Sequence, residues 1–209
     1  MSILNFQKPD KILLQKATDF HGQFEFKPLE PGFGQTIGNS LRRILLSSLE
    51  GYAISAIRIA GVDHEFSSIP GVVEDVVDII LNIKQIRLKS AVKGDKATEH
   101  QIYITISGQD EFRAKDIESR TNMFKVMNPE LLICKMEPSV NLELEMTITK
   151  GRGYVPAEEN MPENAPIGVI PVDAIYTPLK KVSYHVSNTR VGQRTDYEKL
   201  SIEVETDGT

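Results

Sequence analysis

The sequence predicts an α+β protein built mostly of antiparallel sheets with few helices, and three observations lead there. Alternation with period two recurs at Ile102, Ile104 and Ile106, at Leu142, Leu144, Met146 and Ile148, at Val182, Tyr184 and Val186, and at Leu200, Ile202 and Val204. That pattern marks strands with one face buried. Only residues 32–51 and 71–84 read as helices. Gly-containing turns such as Gly108-Gln109-Asp110 lie between strands, as antiparallel neighbours need.

In chain order, an extended start precedes two strands, residues 11–18 and 23–29, around the turn Asp19-Phe20-His21-Gly22. Phe24 and Phe26 fall on one side of the second strand, Glu25 and Lys27 on the other. Residues 32–51 then read as a short helix. Pro31, Gly32 and Gly34 break the chain before it, Thr36 or Asn39 caps its first turn, and Gly51 stops it after Glu50. At about 100° per residue, Ile37, Leu41, Ile44, Leu45 and Ser48 share one stripe, which suits a core. Leu49 extends that stripe, while Leu46 falls nearly opposite Ile37, between Arg42 and Arg43. Arg43 and Leu46, about 60° apart, have two readings. They suit a protein–protein hot spot, an apolar anchor beside guanidinium groups that fork onto carboxylates. They equally suit an ordinary surface leucine beside solvated arginines, the commoner case on residues alone.

Residues 53–59 alternate loosely, and Gly61-Val62-Asp63-His64-Glu65-Phe66 reads as a turn and return strand, making a hairpin. Residues 71–84 are rich in β-branched side chains, yet charge placement decides for helix: Glu74, Asp75 and Asp78 come early and Lys84 late, as the helix dipole favours. Nothing else converges on those carboxylates, so they read as dipole and solubility groups. Strands follow at 86–92, 101–107 and 141–149, with turns at Gly94-Asp95-Lys96 and Gly108-Gln109-Asp110. Residues 116–133 read as a poorly patterned connection with one short strand, and 151–171, rich in Gly, Pro, Glu and Asn, as a long surface loop. The last two strands are joined through a long polar tip, residues 188–199.

Composition narrows the function. The 209 residues suffice for one large or two small domains. A net charge of −5 and a pI near 5.5 argue against the broad basic face of a sequence-independent nucleic-acid binder. The amino terminus lacks a signal-peptide layout and there is no long apolar run, so a cytoplasmic protein with no membrane association is expected. Cys134 is the single cysteine, and His21, His64, His100 and His185 do not stand at ligand spacing from it, so no structural metal is expected. No Gly-x-Ser-x-Gly elbow, Walker loop, dinucleotide fingerprint or His-Glu-x-x-His helix occurs, and Gly151-Arg152-Gly153 lacks the phosphate-loop spacing. A scaffold is favoured over an independent enzyme, and no cofactor or catalytic residue is expected.

The order of longer motifs then becomes specific. Residues 32–51, Gly61-Val62-Asp63-His64-Glu65-Phe66, Gly71-Val72-Val73-Glu74-Asp75-Val76 and Leu81-Asn82-Ile83-Lys84 are followed by residues 150–158, 167–174 and 189–200. Together they resemble the amino-terminal domain of the bacterial RNA polymerase alpha-subunit family, essentially from end to end. The resemblance implies a dimerisation subdomain formed by both ends of the chain, here 1–50 plus 178–209, interrupted by an inserted β-rich subdomain, 51–177. It implies an alpha homodimer that recruits the beta and beta-prime subunits, which hold the active site of the nucleotidyltransferase complex. The equivalent assembly subunit of an archaeal or plastid polymerase is the alternative.

Carried over position by position, the resemblance makes Arg43 and Leu46 the main beta-binding residues, and Asp78 and Lys84 further contacts on the second helix. Lys199 matches a position that faces beta-prime. The stripe Phe33, Ile37, Leu41 and Ile44 is expected at the dimer interface. Family members continue past Thr206-Asp207-Gly208-Thr209 into another dimerisation helix, a linker and a DNA-binding domain. On that resemblance the chain is a fragment, with a weaker dimer than the intact protein and no direct DNA binding.

Overall fold

The computed structural model describes residues 9, 11–92, 97–161 and 165–209. The extended start and the turn Gly94-Asp95-Lys96 lie outside the described residues. Contacts divide the chain into two units, Met1–Leu49 with Thr177–Gly208, and Glu50–Tyr176.

The first unit opens with β1 (Lys11–Ala17), β2 (His21–Leu29) and α1 (Phe33–Ser48). The second holds β3 (Glu50–Ile59), α2 (Val76–Ile83), β4 (Leu88–Ser90), β5 (Glu99–Ser107), β6 (Glu111–Arg113), α3 (Ala114–Glu118) and β7 (Phe124–Val126). It continues through β8 (Leu132–Lys135), β9 (Asn141–Arg152), β10 (Tyr154–Val155), α4 (Ala157–Asn160), β11 (Val169–Pro171) and β12 (Ala174–Ile175). The chain then returns to the first unit as β13 (Leu179–Val191) and β14 (Arg194–Thr206).

In the first unit the sheet order is β1-β2-β14-β13, all antiparallel. The last strand therefore lies between elements from both ends of the sequence, with Leu200 opposite Phe26 and Ile202 opposite Phe24. Among the described residues the unit's buried centre is thin: Leu29, Leu179, Val182, Leu200 and Ile202, with half-buried side chains of α1 and the sheet packed around them. In the second unit the main sheet runs β5-β9-β3-β4-β7, with β11 on β3. Alternation did its expected work there, since Ile102, Ile104 and Ile106 of β5 and Leu142, Leu144, Met146 and Ile148 of β9 are all buried. Val76, Ile79 and Ile83 of α2 join the same core. No helix of the described residues is long and apolar enough to cross a membrane.

Several expectations are corrected. Residues 61–66 make no return strand: Ser67 donates its hydroxyl to the His64 carbonyl at 2.9 Å, and the segment stays in turns. The second helix is shorter than expected, because Asp75 is its cap, accepting the Asp78 N–H at 2.9 Å, while Glu74 instead accepts the Lys135 N–H at 2.6 Å. The expected strand 86–92 contracts to β4, and residues 116–133 contain part of α3, β7 and the start of β8. Residues 151–171 are no plain loop, since they include β10, α4 and β11. The tip at 188–199 is a tight turn, with strand pairing running out to Val191 and Arg194 and Gly192 at φ +63°. Gly51 lies inside β3 rather than ending α1, and the Tyr176 carbonyl occupies the space a Cβ would need.

Cys134, on β8, is fully buried, and burial with help from the Glu74 carboxylate pushes its thiol up to about 12. A buried neutral thiol is a poor nucleophile. In native buffer at pH 8 a colourimetric thiol reagent is expected to leave Cys134 unmodified, with one equivalent reacting once denaturant unfolds the second unit.

Candidate interaction surface

α1 is the element on which most of the expected contacts fall, and its seating decides which of them are free. Its N-cap, Gly32, offers no side chain. The capping group comes instead from β14: the Glu198 carboxylate accepts the Gly32 and Gly34 N–H groups at 2.8 Å each. An anion at a helix N-terminus satisfies orphan donors and the positive end of the dipole together. Neither Thr36 nor Asn39 caps the helix; the Thr36 hydroxyl donates back to the Gly32 carbonyl at 3.2 Å.

The face that meets the sheet is centred on two glycines rather than on the apolar stripe. Gly34 and Gly38 are the buried residues of α1. A Cβ on Gly34 would stand 2.8 Å from Val186 Cγ1, and one on Gly38 would stand 2.6 Å from Tyr184 Cδ2. Leu41 and Leu45 continue this face into the core. Gln35 donates to the Tyr184 hydroxyl at 2.9 Å and Arg42 Nε to the Val182 carbonyl at 3.2 Å, so the flank carrying Gln35 and Arg42 lies towards β13. Phe33, Ile37 and Ile44 fall on the opposite flank, towards β2.

That opposite flank is open. Phe33 is 40% and Ile44 55% exposed, and Ile37 is half-buried. α1 covers β13 and β14. On the remaining half of the same sheet face, in register with Phe26 and Phe24, stand Ile12 and Leu14, exposed at 63% and 57%. Helix flank and bare half-sheet together form an apolar step. Sequence reading missed Ile12 and Leu14, although their alternation with Leu13 and Gln15 put them on the Phe24 and Phe26 side once the hairpin was drawn.

Arg43 points away from the sheet. Among the described residues its guanidinium has no hydrogen-bond or ion-pair partner, and the residue is exposed. Leu46 is half-buried, its inner side against the first unit's core. Neither residue is sealed beneath the sheet, and of the two Leu46 keeps its inner side against the core. Lys199 lies on the opposite, polar face, where its Nζ meets Glu25 Oε1 at 3.2 Å. Burial raises the Glu25 carboxyl, but the Lys199 hydrogen bond and charge outweigh it and hold it below its ordinary value.

In the second unit, Asp78 is exposed on the first turn of α2. Leu81, 47% exposed, sits three residues on, and Lys84 closes the helix, so acid, apolar and base follow one another at helical spacing. Lys84 is already engaged, with its Nζ 2.8 Å from Asp173 Oδ2. The other Asp173 oxygen accepts the Ala157 N–H at 2.8 Å, at the start of α4. The Lys84 hydrogen bond, then the Ala157 N–H, hold the Asp173 carboxyl below its ordinary value, and the same pair raises Lys84. Arg43 and Leu46 thus share one helix, as do Asp78 and Lys84, while Lys199 stands on the far side of the first unit's sheet.

Residues 57–177 match the model of the RNA polymerase Rpb3/RpoA insert domain. Over 208 residues the chain is 59% identical to the DNA-directed RNA polymerase subunit alpha of Cytophaga hutchinsonii and 57% to that of Flavobacterium psychrophilum. It is 50% identical to the same subunit of Chloroherpeton thalassium. These alignments cover 99 to 100% of this chain, which spans 62% of the length of each relative.

The Lys84–Asp173 pair carries a pH signature. A lowered carboxyl contributes stability that is complete above the unfolded aspartate value, about 3.9, and is lost as pH falls through the lower folded value. The raised lysine contributes below about 10.4 and loses its share as pH rises through its folded value. For a partly exposed pair the effect is on the order of 1 kcal/mol. In Asp173→Asn, NMR titration is expected to return the Lys84 ammonium towards the ordinary lysine midpoint, with the unfolding free energy at pH 7 lowered by that amount.

Proposed function

The chain belongs to the RNA polymerase Rpb3/RpoA family, in its bacterial alpha-subunit form, and from that premise we propose that it is a non-catalytic assembly scaffold of bacterial RNA polymerase. It self-associates and recruits beta and beta-prime for DNA-templated transcription in the cytoplasm. The relatives are bacterial subunits, which favours this over an archaeal or plastid counterpart. In this reading the unit formed by both chain ends, 1–50 plus 178–209, is the dimerisation subdomain, and 51–177 is the insert.

The observation that carries the reading is the division of labour around α1. Gly34 and Gly38 give one face to the chain's own sheet. The flank of Phe33, Ile37 and Ile44, with Leu41 beneath it, faces a second copy, and Ile12 and Leu14 extend that surface. Each such side chain contributes roughly 1.5–3 kcal/mol when fully covered, which compensates for the first unit's thin core. Arg43, exposed and unengaged among the described residues, is the beta-binding anchor, with Leu46 beside it; Asp78 and Lys84 add contacts from α2, and Lys199 faces beta-prime. The acidic pI of 5.5 fits protein partners better than nucleic acid.

Two variants separate the surfaces. Arg43→Ala is expected to weaken capture of beta by about 2–4 kcal/mol, as for a hot-spot arginine, while sedimentation still reports the wild-type dimer. Ile44→Glu is expected to shift the sedimentation equilibrium to monomer. Recovery of beta by Arg43→Ala at the wild-type level removes Arg43 from the site, and an undisturbed dimer in Ile44→Glu removes that flank from the self-association surface.

A further inference from the structure

We propose that His21, Glu203 and Glu205 form a surface site for one divalent transition-metal ion of the zinc type, clipping β2 to β14. His21 opens β2 and stands opposite Glu205, while Glu203 lies two residues before Glu205 on the same polar face. One ligand atom from each of the three lies within 4.8 Å of the others, and His21 Nε2 already meets Glu203 Oε1 at 2.8 Å. Donor atoms about 2.0–2.2 Å from a tetrahedral zinc stand about 3.4 Å from one another. Strand pairing fixes the backbone of all three residues, so the remaining closure falls to their side chains.

The surroundings favour a cation at this point. Two carboxylates converge on one imidazole, and like charges brought together are stabilised by a cation between them. The Ser183 hydroxyl donates to Glu203 Oε2 at 3.2 Å, which orients that carboxylate and leaves its other oxygen turned to His21. His21 is itself held: its N–H donates to Thr18 Oγ1 at 3.1 Å, and its carbonyl accepts the Thr18 N–H at 2.8 Å. Beside Glu203, on the side away from Glu205, lies a recess of about 120 Å³ bounded by Gln23, Ser183, Tyr184, His185, Ser201 and Ile202. One nitrogen donor with two carboxylates suits zinc, cobalt or nickel rather than calcium or magnesium, which prefer all-oxygen shells. Lys181 Nζ, 3.7 Å from Glu205 Oε1, competes for that carboxylate.

The test is a Co2+ titration of the full chain followed by visible absorbance, with thermal melts in Zn2+. One equivalent is expected to bind and raise the melting temperature, the affinity falling about tenfold or more in His21→Ala and in Glu205→Gln. Lys181→Ala is expected to bind more tightly, since it frees Glu205, and His185→Ala to bind as the wild type does. Circular dichroism confirms that each variant is folded. The proposal is overturned if no equivalent binds, if His21→Ala binds unchanged, or if binding disappears with His185→Ala instead.

Discussion

The close approach of α1 to its own sheet is the constraint on which the first unit depends. Gly34 and Gly38 remove the side chains that would hold the helix off Val186, Tyr184 and Leu200, and Glu198 fixes its start. Because the glycine face is the one spent inward, the larger side chains on either side are turned outward. Helix–sheet packing ordinarily hides the apolar stripe of a helix. Here it centres on the smallest residues, with Leu41 and Leu45 beside them, and leaves Phe33 and Ile44 partly exposed. The exposure of the apolar flank is thus a direct geometrical result of the close seating.

Electrostatics sorts the candidate contacts in a second way. Arg43 stands with its charge uncommitted among the described residues, whereas Lys84 is tied to Asp173 and Lys199 to Glu25. A partner carboxylate meeting Arg43 gains a hydrogen-bonding fork without first breaking another ion pair. At Lys84 the incoming group competes with an existing bond that also orders the start of α4. The two positions are therefore unequal in energetic terms, although sequence spacing gives no sign of it.

Much of the strand architecture was legible. The alternations at 102–106, 142–148, 182–186 and 200–204 all became strands with the apolar side inward, because period two is enforced by the backbone itself. The identity of α1 was legible too, but its orientation was not: a hydrophobicity count treats glycine as silence, whereas Gly34 and Gly38 mark the inner face. Other misses share a cause. The cap on α1 comes from Glu198, 164 residues distant. The segment after residue 151 is ordered by Asp173 and by Asn160 reaching the Val172 carbonyl at 2.8 Å. Ser67 bonding to His64 replaced a strand with turns. Polar side-chain bonds, whether local or across long separations, leave no periodic trace.

The position of β14 between β2 and β13 has a consequence in time. The second unit is one continuous stretch of chain, so it can begin to fold while the ribosome is still translating. The first unit cannot, since β14, one of its two inner strands, follows the whole second unit in the chain, and α1 has no completed floor until residues 200 and 202 have emerged. While the second unit is being made, α1 is an apolar helix without a seat. The landing of β14 is the event that gives α1 its floor and leaves one defined outward flank, and it makes completion of the first unit wait for the second to be synthesised.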